Sequence, residues 1–498
     1  MARSSTRMRR HAFLPVFLAR GIAVATRLLL RMLGRGGTSL PGKVLLWLNP
    51  QALRSLRRRL RGATVILVSA TNGKTTTAAM MAAIMRSAGI DLVHNVTGAN
   101  LRSGIATTLL NAPRRSRMVV LEVDEATLPL VAPYLSPDVI VLANLFRDQL
   151  DRYGELETLA DRWRIMLDEC GPAPVRVVYN ADDPLIAQLV SQARPEIRAL
   201  ACPFGLNDPA VAAAALPHAA DSKFCRECGH PLEYTHSWVG HLGDYACSGC
   251  DFARPELEVQ ARSVTLEGLG ATSMIVTTGG DHERVPDRSA EAPMEVRIRI
   301  PGLYNAYNAL AAMAASHVVE LASTSIVEGL AAFSPAFGRF ERIPIPGGGS
   351  LTLLLVKNPT GLNEVIRTLT MADVDLTASM FALNDGIADG RDTSWVWDAD
   401  IEPLLDRCPA LVVSGDRADE FALRCMYGGA DSDALLVERD IEEALSMLLA
   451  RARDFTSHGH AYALVTYTSM LALRAIVRER GWVNAYWEQQ REQAVSPS

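Results

Sequence analysis

The residues best suited to chemistry lie in the run Ala63-Thr-Val-Ile-Leu-Val-Ser-Ala-Thr-Asn-Gly-Lys-Thr-Thr-Thr-Ala-Ala-Met80. The apolar, β-branched stretch Thr64–Val68 reads as a buried parallel strand. A tight turn through Asn72 and Gly73 follows, and then Lys74 leads a helix-favouring run from Thr75 to Ala88. A strand, a Gly-containing loop and a helix in this order present backbone N–H groups and a helix N-terminus to an anion. The Lys reaches a terminal phosphate, and the hydroxyl after it, Thr75, binds Mg²⁺. The spacing is A-x-x-G-K-T, with Ala70 where a glycine is usual. Its place between strand and helix makes it an ATP site. Downstream, Met118-Val-Val-Leu-Glu-Val-Asp-Glu125 is an apolar strand ending in carboxylates. Glu122 and Asp124 there are candidates for the Mg²⁺ shell that such a site needs.

A second chemical cluster is made of thiols. Cys225-x₂-Cys228 and Cys247-x₂-Cys250 are two pairs separated by 18 residues, with Gly229 and Gly249 at the expected knuckle turns. Four thiolates so spaced fit tetrahedral Zn²⁺ with no open ligand position, which predicts a structural ribbon. His230, His236 and His241 are expected on the surface, not among the ligands. Cys170, Cys202, Cys408 and Cys425 are scattered. That usage suits a metal site in a reducing cytoplasm better than a disulfide scaffold.

The elements that position these groups follow from pattern. From residue 63 strands and helices alternate, including Val139–Leu145 as a strand, which predicts an α/β fold with ligands at the C-terminal strand ends. Residues 222–255 interrupt it as the four-Cys insertion. Asn305 and Asn308, three apart on one helix face, either cap that helix or contact a nucleotide base. Gly338-Arg-Phe-Glu-Arg342 reads as a loop, and Pro344–Ser350 as a linker or hairpin turn. Beyond it, strands at Leu351–Val356, Met380–Leu383, Ala410–Val413 and Ala461–Thr466 predict a Rossmann-like α/β domain. Its loop 384–400 gathers Asp385, Asp389, Asp392, Asp398 and Asp400 beside Trp395 and Trp397. The expected organisation is a basic arm with helices over 1–62, a central ATP-binding domain over 63–345, and a C-terminal domain over 346–498.

At 498 residues, 49% apolar and 21% charged, the chain has the composition of a multidomain globular protein. The net charge of −5 conceals an asymmetry. Residues 1–61 hold 14 Lys/Arg and no Asp or Glu, leaving 36 basic against 55 acidic residues elsewhere. That polarity argues against a general nucleic-acid binder and for a local anionic partner. The basic arm is either a solvated helical arm packed on the main domain, or a contact for anionic lipid headgroups or a pyrophosphate substrate. No run is apolar for long enough to span a membrane. Ala12–Ala19 is too short for a signal peptide. A cytoplasmic protein, able to touch the inner face of the plasma membrane, is expected.

These stretches resemble the Mur ligase superfamily, which activates a carboxylate with ATP as an acyl phosphate that an amine then displaces. Thr71-Asn-Gly-Lys-Thr-Thr76 looks like its phosphate loop. Asn144 with Asp148-Gln-Leu-Asp151 and Tyr153-Gly154 looks like its second block, with Gln149 where a His is common. Asn305 and Asn308 match the base-contacting block, Gly338-Arg339-Phe-Glu341 the Gly-Arg-x-Glu loop, and Lys357-Asn-Pro-Thr360 the Asn-Pro signature. The resemblance implies that Thr71, Asn72, Gly73, Lys74, Thr75, Thr76, Glu122, Asn144, Asn305, Asn308 and Arg339 bind ATP and Mg²⁺. Arg339 would clamp the γ-phosphate or acyl phosphate.

The four-Cys insertion and Asp389-Gly-Arg-Asp-Thr-Ser-Trp-Val-Trp-Asp398 look like the MurT branch, the synthetase subunits of lipid II isoglutaminyl synthases. That likeness implies amidation of the D-glutamate α-carboxyl of lipid II to D-isoglutamine in peptidoglycan biosynthesis. Ammonia would come from a GatD-like glutamine amidotransferase, whose triad an Asp of this chain completes: Asp392, or else Asp385 or Asp398. The short N-terminal region suits a lipid-linked substrate. An amino-acid-adding ligase of murein or folylpolyglutamate type is the alternative.

Overall fold

The computed structural model describes residues 13–33, 38–95, 99–148, 155–171, 173–279, 292–334 and 339–483, apart from the side chains of Arg31 and Arg339. Gln149–Gly154 and Gly338 of the quoted motifs therefore lie outside the described residues.

Three helices open it: α1 (Val16–Met32), α2 (Leu40–Leu48) and α3 (Ala52–Arg59). A nine-stranded sheet follows, built from β1 (Thr64–Ser69), β2 (Leu92–His94), β3 (Met118–Glu122), β4 (Val139–Leu142), β5 (Arg176–Asn180) and β6 (Cys202–Leu206). A separate hairpin, β7 (Leu232–Val239) and β8 (Leu242–Cys247), interrupts it. Then β9 (Val259–Glu267), β10 (Ala271–Thr278) and β11 (Met294–Ile298) complete it. The strand order is β11-β10-β9-β6-β5-β4-β1-β3-β2, parallel except for the β9–β10–β11 edge. Alternating residues of β1 feed two cores, because strand side chains point to opposite faces. Val65 and Leu67 join α2, α3 and Trp163 on one side. Ile66 and Val68 meet Met80, Met81 and the helix Leu303–Val318 on the other. Since β1 lies between β3 and β4, the chain leaves it at a topological switch point, where α/β sheets bind ligands.

The second sheet has the order β12-β13-β17-β14-β15-β16. Its strands are β12 (Arg339–Pro344), β13 (Ser350–Leu355), β14 (Ser379–Ala382), β15 (Leu411–Ser414), β16 (Leu435–Val437) and β17 (His460–Val465). All pairs are parallel except β12–β13. This is the expected Rossmann-like domain, with one correction. Arg339–Arg342 is a strand rather than a loop, because the edge of β13 supplies its backbone partners. Pro344–Ser350 turns that hairpin, and Gly347, Gly348 and Gly349 all take positive φ, which side chains disfavour. The strand expected over Val139–Leu145 ends at Leu142, where side chains take over the backbone bonding: Asp183 accepts from Leu145 N and Thr71 from Phe146 N. No described helix is long and apolar enough to cross a membrane.

Candidate functional site: a phosphate loop closed by the second domain

β1 ends at Ser69, and the loop Ala70–Gly73 turns directly into α4 (Lys74–Ser87). Gly73 has φ +84°, and a Cβ there would stand 1.9 Å from Asn308 Oδ1. Glycine is thus required twice over, by conformation and by the close approach of Leu303–Val318. The loop is fixed from the exit of β4. Asn72 N donates to Asn144 Oδ1 (2.8 Å), Asn144 Nδ2 returns a bond to Asn72 O (3.0 Å), and Phe146 N donates to Thr71 Oγ1 (3.0 Å). Thr75 and Thr76 open α4, half-buried and buried respectively.

Lys74 is buried and its Nζ lies 2.8 Å from Glu125 Oε2, while also donating to the carbonyls of Ala70 and Thr71. Burial works against its charge, but Glu125, and more weakly Glu122 and Asp124, outweigh that and raise its pKa. Glu122 faces Val68 across the β1–β3 register. Its Oε1 accepts from Asn100 Nδ2 (3.0 Å), whereas Oε2 is buried with no hydrogen-bond partner. A buried, unpaired carboxylate oxygen beside a phosphate loop fits a divalent cation, which removes the cost of leaving it orphaned. Asp124, the other candidate, accepts at Oδ1 from Thr127 N (3.2 Å) and Thr127 Oγ1 (3.3 Å).

The second domain closes on this loop. Lys357 Nζ donates to Thr71 O (3.1 Å) and pairs with Asp148. Asn358 and Asn72 exchange amide bonds of 3.0 and 3.2 Å. Between the domains lies a cleft lined by Asn72, Gly73, Tyr304, Asn308, Phe340 and Lys357 among others. Asn305 Nδ2 donates to Pro301 O (2.7 Å), and Asn308 donates to Asn305 Oδ1 (3.0 Å) with its own carbonyl against Gly73. Arg339 is the first residue of β12.

Glu364 lines the same cleft, and burial pushes its carboxyl up to about 7 against the weaker pull of Arg367. A carboxyl with a raised native pKa favours folding when protonated. Its contribution should therefore fade as pH rises from about 4.5 to about 7, and then stay constant. Glu364→Gln is expected to flatten the stability–pH curve in that window by on the order of 3 kcal/mol. Denaturant titrations of both proteins across the window check it.

The four cysteine sulfurs lie within 4.8 Å of one another, with Cys225–Cys250 at 3.7 Å and Cys228–Cys247 at 3.3 Å. Sulfurs about 2.3 Å from a tetrahedral ion stand a little under 4 Å apart, so the set fits a structural metal. It caps one end of the β7–β8 hairpin. The other end brings Val239 and Leu242 into the nucleotide cleft. Between them His241 is buried, not at the surface as its neighbours suggest. It packs on Phe146 with ring centroids 4.9 Å apart, and its nitrogens lie 3.5 Å from Asp183 and 3.9 Å from Asp221. Burial opposes its protonation, but the two carboxylates outweigh it and raise its pKa. The reason is topological: the turn folds back under the loop that follows β4.

In loop 384–400, four carboxylates are engaged. Asp389 takes Thr468 N and Oγ1 (2.8 and 2.6 Å), Asp398 pairs with Arg147 (3.2 Å), Asp385 lies 3.8 Å from Arg417, and Asp400 pairs with His218 and accepts from Asn363 Nδ2 (3.2 Å). Asp392 is exposed, accepts only from Ser394 N (2.9 Å), and makes no ion pair among the described residues. In the same domain Ile387, Trp397 and Tyr427 are exposed, the last two in edge contact at 5.5 Å.

Residues 68–237 match the Mur ligase middle domain, and residues 355–470 the MurT ligase C-terminal domain. The chain is 33% identical over 461 residues, 92% of its length and 95% of the relative's, to subunit MurT of the glutamine-hydrolysing lipid II isoglutaminyl synthase of Streptococcus pneumoniae. The chain belongs to the MurT family. The MurT subunit of Staphylococcus aureus is 28% identical over 450 residues, covering 88% of this chain and 92% of that one. Among solved structures, a pseudomurein peptide ligase type C from Methanothermus fervidus superposes with a TM-score of 0.64 at 20% identity, over 88% and 84% of the two chains. Mycobacterium tuberculosis folylpolyglutamate synthase, complexed with ADP, gives 0.59 at 14% identity, over 93% and 99%. At such identities these structures establish the Mur ligase fold alone. Membership of MurT makes the chain a subunit of an ATP-dependent ligase. The expected central and C-terminal folds are both present.

The phosphate loop, Glu122, Asn144 and Asn308 converge on one site, as the sequence suggests. Glu125, Lys357 with Asp148, and Asn358 with Asn72 are the contacts that sequence reasoning missed as part of that site. The three carboxylates of Glu122-Val-Asp-Glu125 are plain in the sequence, but only the fold shows which one meets Lys74.

Proposed function

We propose that this chain is the synthetase subunit of a lipid II isoglutaminyl synthase, amidating the D-glutamate α-carboxyl of the stem peptide in peptidoglycan biosynthesis. The observation that carries the reading is the end-to-end likeness to MurT subunits, together with a family-specific C-terminal domain. An oxygen of the substrate carboxylate attacks the γ-phosphorus of ATP and ADP leaves. Ammonia then attacks the acyl carbon of the acyl phosphate and inorganic phosphate leaves, with loss of a proton from nitrogen. Mg²⁺ would be held by Glu122 and Thr75, and would neutralise charge on the phosphates. Lys74 adds a fixed positive charge, the backbone of Thr71–Gly73 and the N-terminus of α4 cradle the anion, and Thr76 lines it. Asn144 holds the loop's shape, Asn305 and Asn308 border the base, and Arg339 clamps the transferring or acyl phosphate.

Ammonia comes from a GatD-like amidotransferase. Asp392, exposed and without an ion pair among the described residues, supports a role completing the partner's Cys–His triad, with the exposed Trp397–Tyr427 pair of the same domain as a docking contact. Zn²⁺ on Cys225, Cys228, Cys247 and Cys250 would be structural. The expected test is a split between nitrogen sources. Asp392→Asn keeps an acceptor for Ser394 N, so folding should hold. With the partner present, glutamine-driven amidation should fall on the order of 10³-fold or more, as when a triad member is removed. Turnover with ammonium chloride should be unchanged. Equal loss with both nitrogen sources would place Asp392 in the ligase site instead.

A further inference from the structure

The first helix carries its large apolar side chains outward. At about 100° per residue, α1 turns Ala19 and Ala23 onto the core and sets Phe17, Leu18, Ile22, Leu28, Leu29 and Met32 on the opposite face. There they are 44–77% exposed. Gly21 and Ala25 fill the rest of that arc, so no charge interrupts it. Next to it α2 presents Leu40, Lys43 and Trp47 at i, i+3 and i+7, with Trp47 79% exposed. Contiguous apolar surface of this kind marks a contact.

The charge around the patch is of one sign. Arg20 and Arg27 follow one flank of α1. Arg20, Arg59 and Arg114 make no ion pair among the described residues, and the Nε of Arg20 and of Arg59 are buried without a hydrogen-bond partner. After burial, Arg20 and Arg114 are the causes that lower the Arg59 pKa, so these guanidinium groups crowd one another. The first acidic residue of the chain is Asp91.

We propose that this face docks on a bilayer surface containing anionic phospholipid. The apolar arc of α1 lies at the acyl boundary, Trp47 sits at headgroup level, and Arg20, Arg59 and Arg114 face the phosphates. An acidic protein would satisfy the guanidinium groups but leave the arc uncovered. An apolar protein face would bury unpaired cations. An anionic membrane surface answers both. The inference rests on the N-terminal helices and Arg114, none of which the ligase reading uses, so the two can fail separately.

Flotation of the full-length chain with vesicles tests it, comparing equal phosphatidylglycerol and phosphatidylcholine against phosphatidylcholine alone. Binding to the anionic vesicles should be at least ~10-fold stronger and should weaken with salt. Brominated lipid should quench Trp fluorescence, and Trp47→Phe should remove that quenching. Phe17→Glu with Leu28→Glu, both at exposed positions, should cut partitioning at least ~10-fold without moving the thermal midpoint. Arg20→Gln with Arg114→Gln should abolish the preference for anionic lipid. The proposal is overturned if wild type does not float, or if it floats equally with the double-Glu variant. A concentration-dependent dimer that the same variant dissolves, without vesicle binding, would assign the face to a second copy of the chain instead.

Discussion

Lys74→Met is expected to reduce ATP-dependent turnover on the order of 10³-fold, the scale on which a preorganised charge at a transferring phosphoryl group acts. It should also destabilise the protein, because Glu125 is then left buried without its cation, at a cost of about 3 kcal/mol. The two effects separate in a cycle. Glu125→Gln removes the orphaned charge, so Lys74→Met/Glu125→Gln should regain most of the stability and none of the activity. Chemical denaturation and single-turnover ADP formation, measured on the same four proteins, check both halves. If the double variant recovered turnover, Lys74 would be a structural partner of Glu125 and not a phosphate ligand.

Loss of the metal proposed for the four thiols should have the other large effect. Cys225 is the buried member of the four, and the hairpin it anchors has little core of its own. Cys225→Ser, or chelation, should release one metal ion per chain and lower the thermal midpoint by about 10 °C, a few kcal/mol for domains of this size. The same hairpin delivers Val239 and Leu242 to the cleft, and Gly240 passes so close that a Cβ would meet Phe146 at 3.0 Å and Thr360 at 3.1 Å. Nucleotide affinity should therefore weaken along with stability. The loss should stay partial, because Arg367 binds the carbonyls of Trp238 and Val211 and Trp238 Nε1 donates to Asp208 O (2.8 Å), holding the far end in place. Elemental analysis with calorimetry of an ATP analogue reads both. Metal loss with unchanged nucleotide affinity would detach the ribbon from the site.

Local chemistry was what the amino-acid order made legible. A β-branched run followed by Gly-Lys-Thr specifies strand, anion loop and helix within twenty residues. Two C-x₂-C knuckles bring four thiols together whatever surrounds them. The strands of the second sheet could be read for the same reason, each being an apolar run bounded by turn residues. What could not be read depends on residues far apart in the chain. Lys357 reaches Thr71 O across 286 positions, and Asn358 reaches Asn72 across the same span. His241 is buried because a turn tucks beneath another loop, which no window around it encodes. Arg339–Arg342 becomes a strand only because β13 offers an edge, and Phe340 takes φ +57° at the bulge there while lining the cleft. Asp392 comes first from the family resemblance, but that Asp385, Asp389 and Asp398 are engaged by distant partners is visible only in the fold.

Amidation of a lipid-linked carboxylate is tested most simply on the product itself. The chain is co-expressed with a GatD-like amidotransferase and given lipid II, ATP, Mg²⁺ and glutamine, and the lipid product is analysed by mass spectrometry. The expected product is lighter by the difference between a hydroxyl and an amino group at the D-glutamate α-carboxyl, formed with ATP consumption and absent with Lys74→Met. An unchanged mass with either glutamine or ammonium, while a free amino acid is joined to the substrate, would contradict it.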